Sequence, residues 1–204
     1  MSPDALPPLV ERANALARQL GFPLTREEAG PEHNPSASLP GVGRFLAVLA
    51  AGCLGGRIGE IGTGTGQGSA WMASAMPADC TLVTVEIDER RAAAATGLLA
   101  ADPRITVLTG DAADLIPRHA PFDLLFSDGG WRDPAGFRSL VDLLRVGGRI
   151  VMDDVIPMAI LPADSPHWKH DAKREFFYGD ARLISTEVVL PDLRNSLLVG
   201  TRLR

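Results

Sequence analysis

Apolar residues recur at three- and four-residue steps through "ALPPLVERANALARQLGF". Leu9, Val10, Ala13, Leu16, Ala17 and Leu20 make one stripe, which predicts an amphipathic helix. The pattern breaks in "TREEAGPEHNPSASLPG", where Pro, Ser, Asn and charge predict a long loop of the kind that is usually functional or disordered. "GVGRFLAVLAAG" then predicts a short helix stopped by glycine. From Arg57 onward the texture alternates. Strand-like runs at "RIGEI", "TLVTVEI", "ITVLTG", "FDLLFSD" and "GRIVMDD" are separated by helical patterns at "GSAWMASAM", "ERRAAAATGLLAA", "AADLIPRHA" and "DPAGFRSLVDLLRV".

Strands that alternate with helix-length segments predict a parallel sheet with helices on both faces. The tail reads differently. "HWKHDAKREFFYGD" predicts one more helix, and "ARLISTEVVLP" and "NSLLVGTRL" are joined only by Asp-Leu-Arg. So short a link joins antiparallel strands and is too short for a parallel crossover. The expected fold class is therefore α/β: a doubly wound sheet of seven strands, five parallel plus a C-terminal antiparallel hairpin, with N-terminal helices. Nothing divides the chain into parts, so residues 1–204 read as one domain, with 1–39 as helix and loop and 40–204 as the core.

The run "GEIGTGTGQGS", Gly59 to Ser69, is where local propensity is sacrificed. Glycine at that density weakens a helix or a strand, and it allows positive φ and close approach of the backbone to a ligand. A strand that ends at "EIG" and feeds such a turn into a helix has the geometry of a nucleotide-type site. The dinucleotide pattern G-x-G-x-x-G fits no frame here, because Gly62-Thr63-Gly64-Thr65-Gly66 is G-x-G-x-G. Glu60 beside the turn disfavours a pyrophosphate. It favours a cationic ligand, such as one that carries an amine and a sulfonium.

Composition narrows the classes. Of 204 residues, 46% are apolar and 22% charged, which is a globular balance. The net charge of −5 argues against a broad nucleic-acid surface. No run approaches the ~20 apolar residues of a membrane span. The N-terminus lacks the pattern of a signal peptide, so a cytoplasmic location is expected. Cys53 and Cys80 have no metal-ligand spacing and read as reduced, structural residues.

"EIGTGTGQGS" resembles the first motif, E-x-G-x-G-x-G, of class I S-adenosylmethionine-dependent methyltransferases, and "TVEID" resembles their second. The likeness runs from about Pro40 to the C-terminus and implies a Rossmann-like core with S-adenosylmethionine as cofactor. It implies cofactor contacts from Glu60, Gly62, Thr63, Gly64, Gly66 and Ser69, with Glu86 on the ribose hydroxyls and Ile87 beside it. Glu86 stands twenty positions past Gly66, the spacing of a turn-helix-strand unit. "LTGDAADLIP" is similar to the family's adenine segment, which implies Asp111 and Ala112 on that side.

"FDLLFSD" and "LLRVGGRIVMDDVI" resemble the catechol and caffeoyl-CoA O-methyltransferase branch. The resemblance implies methyl transfer to a hydroxyl of a small acceptor, a class that includes aromatic ones. It also implies a divalent cation such as Mg²⁺ on Asp128, Asp153 and Asp154, with Asp128 both catalytic and near the donor. Three oxygen ligands suit Mg²⁺, Mn²⁺ or Ca²⁺ better than zinc. Two positions depart from the branch: Asp154 stands where it has asparagine, and Trp131 where its animal enzymes have a lysine base. Trp131 offers a flat wall for an acceptor, and Arg132 beside it cannot act as a base. His167 and His170 are alternative bases or a polar helix start, and His33 is a lid or surface residue. Trp71 and Met72 read as core. A tRNA or other macromolecular methyltransferase of the same fold stays open, as do a non-catalytic donor-binding module, an NAD-dependent oxidoreductase, and a homodimer formed through the N-terminal helix.

Overall fold

The computed structural model describes residues 5–29, 37–129, 134–190 and 195–204. The helical stripe forms α1 (Pro8–Leu20), which ends at Gly21 in the left-handed conformation. A single turn, α2 (Arg26–Ala29), precedes α3 (Pro40–Ala51). The alternating region then gives β1 (Arg57–Ile61), α4 (Gln67–Ala75), β2 (Thr81–Glu86), α5 (Glu89–Leu99) and β3 (Ile105–Thr109). It continues with α6 (Ala112–Leu115), β4 (Phe122–Ser127), α7 (Pro134–Asp142) and β5 (Leu144–Val155). The tail adds α8 (Ala172–Gly179), β6 (Leu183–Val189) and β7 (Ser196–Arg202).

All seven strands share one sheet in the order β3-β2-β1-β4-β5-β7-β6. Neighbours from β3 through β5 are parallel, and β7 runs antiparallel between β5 and β6. The expected architecture is therefore present; the Asp-Leu-Arg link lies outside the described residues. The winding reverses at β1, which has β2 on one side and β4 on the other, so the carboxyl ends of these strands open a crevice.

One face of the sheet packs Ile58, Leu82, Leu124, Phe126 and Val151 against Val42 and Leu46 of α3 and Met72 of α4. The other packs Val83, Leu125, Ile150 and Leu198 against Phe137 and Leu140 of α7 and Phe176 and Phe177 of α8. Helix α1 lies over α4 and α5 of its own chain, with Val10 and Ala13 against Ala70 and Trp71. Trp71 and Met72 are core residues, and both cysteines are buried and unbridged. No helix among the described residues is long and apolar enough to cross a membrane.

Three elements differ from the sequence reading. "DPAGFRSLVDLLRV" leaves the helix at Asp142, because Leu144 pairs with Phe122 and starts a twelve-residue strand. That strand shifts register between Phe122 and Leu124, where a Cβ on Gly148 would stand 2.6 Å from the Phe122 carbonyl oxygen. "AADLIPRHA" forms only the short α6 and a tight turn at 116–119. The last helix starts late, at Ala172, where Asp171 accepts from the Arg174 N–H as its N-cap.

Candidate functional site

Three glycines carry β1 into α4 with left-handed backbone: Gly62 at φ 93°, Gly64 at 56° and Gly66 at 95°. Gly62 has a second constraint, since a Cβ there would stand 2.7 Å from the Asp128 carbonyl oxygen. Gly66 is the N-cap of α4 and gives its first N–H groups no side-chain acceptor. Such a terminus favours a polar or anionic group of a ligand. Over the turn lies the segment after α1. The Phe22 ring faces Gly64, and the Arg91 guanidinium lies 5.8 Å from the centre of that ring. Gln67 ties the turn to α1 by donating to the Ala13 carbonyl (2.9 Å) and accepting from Thr65 Oγ1 (2.9 Å).

Glu60, which the sequence reading sets beside the turn as favouring a cationic ligand, is buried. It is only 1% exposed on the central strand β1, and its carboxylate accepts from Ser69 Oγ of α4 and from Thr84 Oγ1 of β2 (2.6 Å). Thr63 Oγ1 extends the chain to Thr84 Oγ1 at 2.6 Å. The other carboxylate oxygen has no partner among the described residues, and a Cβ on Gly68 would overlap it. Burial, partly opposed by the Ser69 and Thr84 hydrogen bonds, pushes Glu60 up to about 7.

That shift has a stability consequence. The folded chain keeps the Glu60 proton up to about pH 7, whereas the unfolded chain releases it near 4.5. The stabilisation is thus complete below the unfolded value and is lost as pH rises through the folded one, in all about 3 kcal/mol at ~1.4 per unit. Urea unfolding of the parent and Glu60→Gln between pH 4.5 and 8 should show the parent losing stability relative to the variant. Parallel pH profiles would refute the assignment.

Glu86, at the end of β2, is 4% exposed and faces the glycine turn. One carboxylate oxygen accepts from Gly64 N–H (2.8 Å), and the other from Asp88 N–H (2.9 Å) and Arg91 Nη2 (2.9 Å). These bonds leave part of its acceptor capacity unused. Ile87 beside it is 69% exposed at the crevice rim. Across from it, Asp111 accepts from Ala113 N–H (2.8 Å) and so caps α6, whose first residue is the half-buried Ala112.

Asp128 follows β4 and accepts from Ser38 Oγ at 3.2 Å. Burial, and then the charges of Asp153, Asp154 and Glu60, raise it well above the usual carboxylate range. The three aspartates that the sequence reading assigns to a cation are thus electrostatic neighbours. Asp153 Oδ1 accepts from Asn195 Nδ2 (2.9 Å) and Asp154 N–H (2.7 Å), while Asp154 is exposed on left-handed backbone at φ 59°. Lys173 Nζ approaches from α8, donating to the main-chain carbonyl oxygens of Asp153 (2.6 Å) and Asp154 (3.2 Å). Burial pulls Lys173 below the ordinary lysine value, and the charges of Asp154, Asp153 and Asp128 oppose that pull. Among the described residues, no three His, Cys, Asp or Glu side chains converge to hold a metal. In chemistry the three carboxylates, close enough for their charges to raise Asp128, are the oxygen donors that a hard divalent cation takes.

Comparison with known proteins agrees with this geometry. A family described as a methyltransferase domain matches residues 60–155. A relative from Mycobacterium sp. (strain JLS), named as an O-methyltransferase, is 32% identical over 178 residues, covering 81% of this chain and 79% of its own. The chain belongs to the S-adenosylmethionine-dependent O-methyltransferases. Within this O-methyltransferase family, the catechol O-methyltransferase of Niastella koreensis is 35% identical over 130 residues. That match spans 57% of each chain, so this chain covers little more than half of that relative. The O-methyltransferase TomG of Streptomyces achromogenes, solved in complex with SAM, is 27% identical with a TM-score of 0.73. The superposition covers 98% of this chain and 92% of TomG.

Several residues at this methyltransferase site had no signal in the sequence. Ser38 meets Asp128 across ninety positions, Asn195 meets Asp153 across forty-two, and Lys173 sits in an ordinary helical pattern. His170 pairs with Glu175 (2.7 Å) on the exposed start of α8, as a surface residue does. Trp131, Arg132 and His33 lie outside the described residues, as does the His167 side chain.

Proposed function

We propose that the protein transfers the methyl group of S-adenosylmethionine to a hydroxyl oxygen of a small, aromatic acceptor. The observation that carries this reading is Glu86, whose carboxylate is held 2.8 Å from the Gly64 N–H at the mouth of the glycine turn. A carboxylate so fixed suits the two hydroxyls of a ribose. The Gly62–Gly66 backbone and the open first turn of α4 suit the amino-acid end of the donor. Ile87, Asp111 and Ala112, at the ends of β2 and β3, border the side on which adenine would lie. Thr63 and Ser69 act from beneath, through the buried chain to Glu60.

The reaction is an in-line displacement. A bond forms from the acceptor oxygen to the methyl carbon, the carbon–sulfur bond breaks, and S-adenosylhomocysteine leaves as a neutral sulfide. Alignment of three atoms at about 3 Å supplies roughly 7–11 kcal/mol of the barrier reduction. The hydroxyl proton passes to Asp128, whose surroundings make it bind a proton more tightly than a carboxylate in water. Asp128, Asp153 and Asp154 would hold the divalent cation that the sequence resemblance implies, and it would supply Lewis-acid stabilisation of the acceptor oxyanion.

Calorimetry with S-adenosylhomocysteine and transfer of labelled methyl groups to catechol, phenol and bulk tRNA test the proposal. Binding of the product, with label on a phenolic oxygen, is expected. No heat with S-adenosylhomocysteine, or label on tRNA alone, would overturn it.

A further inference from the structure

Arg91 stands where local physics disfavours a cation. It is the third residue of α5, and a positive charge in the first turn of a helix opposes the dipole. Its Nε is also buried without a hydrogen-bond acceptor among the described residues, which is a costly position for a donor. What holds it there is the crevice wall. Nη2 donates to Glu86 Oε1 (2.9 Å), Nη1 lies 3.7 Å from Asp88 Oδ2, and the guanidinium rests 5.8 Å from the centre of the Phe22 ring. That ring lies in turn against Gly64, at the mouth of the glycine turn.

A carboxylate offers about four lone-pair positions, shared equally between its oxygens. On Glu86, Oε2 accepts only from Gly64 N–H, whereas Oε1 accepts from both Asp88 N–H and Arg91 Nη2. Oε2 therefore has room for another donor, and Oε1 is full. Two vicinal hydroxyls that bind a carboxylate side by side need a position on each oxygen. One donor must leave Oε1. Asp88 N–H is main chain, fixed by the N-cap that the Asp88 side chain makes on Arg91 N–H. The Arg91 head is carried on a flexible side chain, 27% exposed, and moving outward gives its Nε access to water.

We propose that Arg91 is a displaceable stand-in for one ribose hydroxyl, so that donor binding pushes its guanidinium off Glu86 and this competition sets how tightly the donor is held. The proposal rests on the reading of Glu86 as the ribose ligand and adds what controls that contact. No covalent bond changes. A hydroxyl takes the place of Nη2 on Oε1, and the released guanidinium keeps the Phe22 face and the Asp88 carboxylate as neighbours.

Calorimetry with S-adenosylhomocysteine and with its 2′-deoxy and 3′-deoxy analogues tests this on the parent and on Arg91→Met, which keeps the apolar stem and removes the charge. Arg91→Met is expected to bind S-adenosylhomocysteine about three- to tenfold more tightly than the parent, at or above the worth of an exposed ion pair. The gain should vanish for the analogue that lacks the contested hydroxyl, because that ligand leaves Arg91 in place. In the parent, the two analogues should differ about tenfold in affinity, since one deletion removes an uncontested bond and the other a bond that Arg91 restores. Parental or weaker affinity in Arg91→Met, an equal gain for every ligand, or equal losses for the two analogues in the parent overturns the proposal. The parent arm decides the matter even if the variant fails to fold. If the parent binds all three ligands alike, the ribose is not on Glu86, and the reading beneath the proposal fails with it.

Discussion

Glu86→Gln is expected to weaken S-adenosylhomocysteine binding about ten- to a hundredfold while the protein stays folded. The charge is lost but one acceptor oxygen remains for the Gly64 N–H now held at 2.8 Å. A hydrogen bond to a charged group is worth about 1.5–3 kcal/mol net, and each ~1.4 kcal/mol is a factor of ten in affinity. Glutamine is the better probe than alanine. Alanine would strip all three donors, Gly64 N–H, Asp88 N–H and Arg91, whereas glutamine keeps the Gly64 bond and loses the two made to the other oxygen. A fully buried donor left without an acceptor costs about 1–3 kcal/mol and these half-buried ones cost less, so Glu86→Ala should loosen the turn as well as the ligand. Calorimetry on Glu86→Gln decides the question: parental affinity would remove Glu86 from the ribose.

The second large effect is expected at Gly62. Alanine there must adopt φ near 93°, and its Cβ would press to 2.7 Å from the Asp128 carbonyl oxygen. Left-handed backbone costs an L-residue roughly 1–2 kcal/mol, and overpacking adds about 1–3 kcal/mol. The obstacle is main chain at the end of β4, so no rotamer change relieves it. Gly62→Ala should lower Tm by roughly 5–15 °C, at about 2–4 °C per kcal/mol for a chain of this size. It should also weaken S-adenosylhomocysteine binding, because the ends of β1 and β4 must part. An unchanged melting curve would show that the turn and Asp128 do not approach each other as described.

The site was legible in the sequence where local rules act. Gly62, Gly64 and Gly66 announce a turn because positive φ is a property of the residue itself, and all three have it. Glu86 is found by counting from the turn, since a strand-turn-helix-strand unit has limited freedom in length. The misreadings share one cause. "LLRV" continues a helical pattern, and it becomes strand because Phe122, far away in sequence, pairs with Leu144. The partners of Asp153 are hidden in the sequence for the same reason, since Lys173 comes from α8 and Asn195 from just before β7.

From its own sequence the chain determined a parallel sheet of five strands with a hairpin added, a side-chain-free turn after β1, and an acid at the end of β2. Each of these follows from period, turn chemistry and spacing, which act between near neighbours. Only the tertiary structure decided that Glu60 is buried and holds its proton more tightly than a free carboxylate, that Ser38 meets Asp128, and that Lys173 of α8 reaches the main chain at Asp153. Those outcomes depend on contacts between residues from nine to ninety positions apart, whose geometry is set by packing and leaves no periodic trace in the sequence.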